Sequence, residues 1–243
     1  MIKNHQFLFL LLAFYLSGNL KAQNESKGDL YNQFDAVIGV ENTSLYNGIA
    51  YNEFHEIDSD QNKFLFSNGM RSGEIVYDGE TYYDILMNYN IYDDVVLIKL
   101  NNNIVNHTFQ LISEKIERFK ITNSKFVRIE GNSEENIDSG IYEVLITDRN
   151  TEITLLKKHK LKEKVNLDIG KVSVYTYKKK DSEFILKKSG ELYLLKDRKD
   201  FREIFPKRKN HISRFYRDYR SLRRSDSDKF MTNLIGFLIT PNQ

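Results

Sequence analysis

The sequence predicts a mainly β fold, an antiparallel curved sheet, sandwich or barrel-like, carrying a small C-terminal helical cap. Three observations predict it. A period-two run occupies Ser72 to Leu100, about ten to thirteen short strand-like segments follow one another closely up to Leu195, and the period shifts to about 3.6 at Lys196. The expected layout is a signal peptide over 1–22, an antiparallel β-domain over 23–195, and a basic helical cap over 196–243 packed on the same domain.

The first 22 residues read as a targeting segment. Lys3 supplies the positive start, Phe7 to Leu16 the apolar core, and Leu20-Lys21-Ala22 the cleavage site before Gln23. That core is shorter than the roughly 20 apolar residues a membrane-crossing helix needs; the alternative is an uncleaved amphipathic or buried N-terminal helix, and no transmembrane helix is expected after cleavage. Cysteine is absent from the chain, which excludes disulfides, thiolate metal sites and a lipid-anchored N-terminus.

Gln23 to Gln33 is polar and reads as a flexible start. Val37 to Val40 and Asn47 to Glu56 read as strands, EIDSDQNK has turn composition, and Phe64-Leu65-Phe66 restarts a strand up to Asn68-Gly69. Glu74 to Tyr77 is β-branched and aromatic, and Asp78-Gly79 suits the positive φ angles of a tight hairpin turn. In the next strand strict alternation places Tyr83, Ile85, Met87, Tyr89 and Ile91 on one face and Tyr82, Asp84, Leu86, Asn88 and Asn90 on the other. Asp93-Asp94 interrupts, and Val95 to Leu100 completes a three-stranded meander.

Asn101 to Asn103 is a turn and Thr108 to Ile112 a strand, whereas Ser113 to Ile121 fits neither period. Lys125 to Glu130, the hairpin Ile141–Thr147 with Glu152–Lys158, then Lys171–Lys178, Phe184–Lys188 and Glu191–Leu195 continue the pattern, with Ser189-Gly190 as the last turn. Asp197 to Phe205 suggests a short helix, and Pro206 suits the first residue of a second. Ile212, Phe215, Tyr216 and Tyr219 form that helix's buried stripe. A third helix starts at Ser225 with Asp228 three residues on, and buries Met231, Leu234, Ile235 and Leu238 before Pro241.

Charge is unevenly spread. Without Lys3 and Lys21 the chain carries 34 basic and 34 acidic residues, yet Lys196 to Lys229 holds 13 basic and 6 acidic ones, a net of +7, leaving −7 on Gln23 to Leu195. Such asymmetry marks a basic interaction surface or attraction between two parts of one fold. With the apolar stripe inward, Arg214, Arg217 and Arg220 project outward and form the candidate interaction surface. Export argues against nucleic acid, so the partners implied are an envelope protein or an anionic lipid surface. The plainer and commoner reading is a stripe that lies against the acidic sheet or is solvated.

Catalytic motifs are missing. No G-x-S-x-G elbow, P-loop or G-x-G-x-x-G occurs, and His55, His107, His159 and His211 share no paired spacing, so no cofactor or metal is expected. Asp58, Asp60 and Asn62 begin a calcium-loop spacing, but Lys63 stands where the loop needs glycine and Gly69 where it needs glutamate. Tyr83, Ile85, Met87 and Tyr89 are a candidate apolar face, able to line a hydrophobic-ligand cavity or to fill an ordinary core. A membrane-spanning barrel is disfavoured by polar residues on both sides of many strands.

The signal ending Lys21-Ala22-Gln23, the G-x-x-x-Y-D-G stretch from Gly73 to Gly79 with the meander to Asp94, and the aromatic-basic tail together resemble a group of exported Bacteroidota proteins of unknown function. The resemblance implies an envelope or exported location, periplasmic, extracellular or outer-membrane associated, and supplies no activity. The leading expectation is a non-enzymatic envelope protein that binds a macromolecular partner. The alternatives are a carrier of an apolar or lipid ligand and a polysaccharide hydrolase with paired carboxylates.

Overall fold

The computed structural model describes residues 42–53, 56–57, 62–102, 105–167 and 173–240, together with Gly28 and Asn32. The expected signal peptide, the strand at Val37–Val40, and Asp58 and Asp60 lie outside them. Among the described residues eleven strands form one open antiparallel sheet in the order β1-β7-β6-β5-β4-β8-β9-β10-β11-β12-β13. The strands are β1 (Ile49–Ala50), β2 (Glu56–Ile57), β3 (Leu65–Asn68), β4 (Arg71–Tyr77), β5 (Glu80–Asn90), β6 (Val95–Asn102), β7 (Val105–Gln110), β8 (Ile116–Ile121), β9 (Ser124–Ile129), β10 (Gly140–Asp148), β11 (Ile153–Leu167), β12 (Ser173–Lys188) and β13 (Glu191–Leu195). The sheet does not close into a barrel, and β2 runs parallel beside β12. Four helices follow: α1 (Arg198–Ile204), α2 (Lys209–Asp218), α3 (Arg220–Ser225) and α4 (Ser227–Ile239).

The tight turns follow from residues that tolerate positive φ. Asp78 and Gly79 have φ of 54° and 83° and join Tyr77 to its partner Glu80, and Ser189-Gly190 does the same between Lys188 and Glu191. The stretch of mixed period resolves into a 3₁₀ turn at Ser113–Lys115 followed by β8. A register shift where β8 meets β4, between Val76 and Tyr77, is what scrambles its alternation.

Strict alternation along β5 fails at one place. Gly73 pairs with Ile85 but Ile75 pairs with Tyr82, so β5 carries an extra residue, with Asp84 at φ 55°. The bulge exchanges the faces of the strand on either side of it. Ile85, Met87 and Tyr89 turn into the core as expected, while Tyr82 is buried in place of Tyr83, which stays half-buried beside an open surface cleft.

Among the described residues three apolar clusters hold the fold together. The largest joins β4 through β9 around Tyr77, Met87, Tyr89, Phe119 and Phe126, with Phe119 and Phe126 stacked at 4.7 Å. The second seats the helices on Ile153, Leu155, Phe184, Leu186 and Leu195 through Phe201, Ile212, Phe215, Phe230, Leu234 and Ile235. Leu156 and Ile185, the neighbours of Leu155 and Leu186, point the other way into a third cluster with Tyr142 and Ile137. Each fully buried side chain of this size contributes about 1.5–3 kcal/mol, so the cap is held by apolar contact with the sheet.

β11 and β12 are longer than the separate strands read from hydrophobic alternation. They pair from Ile153↔Lys188 to Leu167↔Ser173 and include the stretch KHKLKEK, whose lysines hide the strand from a hydrophobic criterion.

Candidate functional site

The cap is built by recognisable local chemistry. Asp197 accepts from Lys199 N and Asp200 from Asp197 N, a reciprocal capping box that starts α1. Pro206 opens a 3₁₀ turn that runs into α2, and Asp226 caps α4 by accepting from Lys229 N at 2.9 Å, one residue after the expected Ser225. α2 ends at Asp218, so the expected stripe is cut: Ile212 and Phe215 are buried, Tyr216 is half-buried, and Tyr219 is exposed.

That break aims the basic side chains. Arg217 at the end of α2 and Arg220 at the start of α3 line a cleft of about 410 Å³ with Arg198, Lys199 and Arg202 of α1 and Arg223 of α3. Arg214 does not line it, so two of the three expected arginines come together and the third stands apart. The Arg223 guanidinium lies 5.4 Å from the Tyr216 ring centre, and Arg202 Nε is buried without a hydrogen-bond partner. Burial raises the Tyr216 phenol above its ordinary value against the opposing pull of Arg223.

Six cations thus share one cleft with a single carboxylate, Asp197, which is occupied in capping α1. Arg217 pairs with Asp218 at 3.0 Å and Lys199 with Glu203 at 3.8 Å, both within the cap. Among the described residues Arg198, Arg202 and Arg220 have no ion pair, and the one ion pair joining sheet to cap, Lys157 to Asp228, has the sheet as its positive side. At these residues the acidic sheet does not neutralise the basic stripe, and of the plainer reading the solvated form is the one that fits, since Arg198 and Arg220 are exposed. Arg202 is half-buried and the other five cations are exposed, and arginines clustered in this way suit forked recognition of carboxylates or phosphates.

The remaining polar groups serve other ends. Ser124 Oγ donates to Glu143 at 2.8 Å and His159 Nε2 lies 2.7 Å from the other Glu143 oxygen, so the serine is bonded to the acid and not to the histidine that would activate it. Burial opposes ionisation of Glu143, but the His159 and Ser124 hydrogen bonds outweigh it and hold the carboxyl below its ordinary value. Lys63, the residue that breaks the calcium spacing, is a buried hub bonded to Glu53 at 2.7 Å and Asp93 at 3.3 Å. Burial disfavours its charge, yet the hydrogen bonds it donates to Glu53 and Tyr51 prevail and raise its pKa. Asn62 accepts from Phe64 N at 2.9 Å in its own turn.

Asp94 is the second polar hub. It accepts from the Tyr89 hydroxyl at 2.6 Å, from Lys158 Nζ at 2.5 Å and from Ile141 N at 3.3 Å. Burial, then the Asp94 charge, pushes the Tyr89 phenol up. This cluster ties the β5–β6 turn to β10 and β11. The cleft beside Tyr83 holds two carboxylates, Glu74 and Asp84, both exposed, with Asp84 accepting from Asn32 at 3.0 Å. Among the described residues no three His, Asp or Glu side chains are placed to hold a metal ion, and no helix is long and apolar enough to cross a membrane.

Helical periodicity over the expected second helix reveals Arg217 and Arg220, now split between α2 and α3, but not Arg198, Lys199 and Arg202, which reach the cleft from α1, nor that Arg223 one turn along α3 joins them. The chain is thus an open antiparallel β-sheet protein with a basic cleft in its helical cap. Comparison with protein-family models, curated proteins and solved structures finds no match to it.

Proposed function

We propose that this chain is an exported, non-enzymatic cell-envelope protein that docks an acidic macromolecular partner in the arginine cleft of its cap. The observation that carries this reading is the convergence of six cations from α1, α2 and α3 around one carboxylate already committed to a helix cap. An acidic segment entering the cleft would exchange water for forked Arg–carboxylate bonds and give the buried Arg202 Nε an acceptor.

The carrier reading finds less support, because Met87 and Tyr89 are fully buried in a packed core, with Tyr89 5.6 Å from Phe126. The hydrolase reading gains little from the cleft that holds Glu74 and Asp84, because both are exposed, whereas a glycosidase separates the roles of its two carboxylates by burying one.

The test is titration of the mature chain with a polyglutamate peptide at low and high salt. The expected result is salt-sensitive binding that falls about ten- to a hundredfold in Arg217→Glu/Arg220→Glu and stays near wild type in Arg214→Glu. Equal loss in the double variant and in Arg214→Glu, or loss in neither, removes the cleft from the proposal.

A further inference from the structure

The β11–β12 hairpin carries a second basic surface, independent of the cap cleft. β10 flanks β11 only as far as Lys157, and β13 flanks β12 only from Phe184 onward. Beyond those points the ribbon continues through Leu167 and back from Ser173, and among the described strands β2 alone pairs with it there, at Val174–Tyr175. In its register Lys160 stands directly opposite Lys180, and Lys162 directly opposite Lys178. Residues opposite one another share a face, and alternate residues along a strand share it too, so Lys164 joins the same face.

The other face is anchored. Leu161 packs against the main core, and Tyr177 is buried with its ring 4.9 Å from Tyr92. Lys160, Lys162, Lys178 and Lys180 are therefore held outward by packing on the reverse side, while Thr176, opposite Lys164, is buried and closes the face at that end. Lys160 is paired with Glu183 at 2.5 Å, but Lys162, Lys164, Lys178 and Lys180 are exposed and have no ion pair among the described residues. Like charges placed directly across a ladder cost stability. Glu183 answers Lys160 within the fold, whereas Lys162 opposite Lys178, with Lys180 and Lys164 beside them, leaves a like-charged group that calls for an external counter-charge.

We propose that this lysine face seats the protein on an anionic lipid surface. Lysines along one strand recur about every 6.7 Å and face each other across about 5 Å, giving a grid of charge on a twisted ribbon that matches a plane of anionic headgroups better than one compact anion. No aromatic side chain shares the grid, so it lacks the stacking platform that sugars and bases use. Each lysine near such a surface contributes a factor of about five to partitioning.

The experiment is flotation of the full mature chain with phosphatidylcholine vesicles, alone or with about one-third phosphatidylglycerol, at low and high salt. Expected is binding confined to the anionic vesicles and weakened by salt. Partitioning should fall about a hundredfold in Lys162→Gln/Lys178→Gln/Lys180→Gln and be preserved in Arg217→Glu/Arg220→Glu. Lys178→Glu alone should lower binding while raising Tm by about 1–3 °C, since it turns an opposed pair into an attractive one. That opposite movement separates a binding role from a structural one. The proposal is overturned by unchanged vesicle binding in the triple variant, by loss that follows the cap arginines instead, or by retention on an anionic polysaccharide without preference for anionic vesicles.

Discussion

Lys157 Nζ of β11 lies 2.5 Å from Asp228 Oδ2 in the first turn of α4, and this contact pins the cap to the sheet beside the apolar cluster that seats the helices. Its polarity is the reverse of what net charges imply, because local pairing is decided by the groups that meet.

Removing the acid leaves a nearly buried ammonium without its partner. Asp228→Ala should cost about 2–3 kcal/mol in urea unfolding, discounted for the partial exposure of Asp228. Lys157→Met should cost less, about 1 kcal/mol, since its stem still packs. Equal costs would mean the contact acts only through packing.

Gly140 bears on the Asp94 hub. A Cβ there would lie 2.0 Å from Asp94 Oδ2 and 2.2 Å from Lys158 Nζ, on a backbone with φ of 138°. Gly140→Ala should cost about 2–4 kcal/mol. Asp94→Ala should cost a similar amount by stranding Tyr89, Lys158 and Ile141 N, whereas Asp94→Asn, which suits the positive φ of 56°, should cost less. Chemical denaturation of the three variants checks the order.

Glu143 gives the acid limb of stability a defined contributor. Its folded pKa lies below the ordinary value of 4.5, so the folded state favours the ionised form. The contribution is complete above the ordinary value and is lost as pH falls through the lower folded one. Urea midpoints measured from neutral pH down to about 3 should drop less steeply in Glu143→Gln than in wild type.

The β5 bulge makes a prediction that strict alternation would reverse. Tyr82→Ala should cost about 3 kcal/mol and Tyr83→Ala about 1 kcal/mol or less. Thermal melts of the two variants suffice to check it.

Much of this architecture is legible in the sequence where one residue's chemistry decides a local conformation. Asp78-Gly79 and Ser189-Gly190 announce their hairpins because few residues accept positive φ, and Asp197 announces α1 because its carboxylate takes an orphan N–H. The bulge at Asp84 is not legible, since it depends on the register of β4 against β5. The lysine ribbon has a signal, the alternation Lys158, Lys160, Lys162, Lys164, but summing charge over the whole β-domain averages it away. The basic cleft is half legible, because one helix's period shows its own arginines and not those that other helices bring beside them.

The strand order has a kinetic meaning. β4 to β7 and β8 to β13 are each chains of adjacent hairpins, and β4 against β8 is the pairing that joins them. At that seam Gly73 faces Ile121, and a Cβ on it would lie 2.2 Å from the Lys120 carbonyl oxygen. Hairpins between neighbours close short loops early, while the seam must wait for two preassembled halves to meet. Gly73 therefore guards the last join of the sheet: a methyl group there would crowd Met87 Sδ of its own half only at 3.2 Å but strike the backbone of the other, so the halves would close badly, with edges open to other chains.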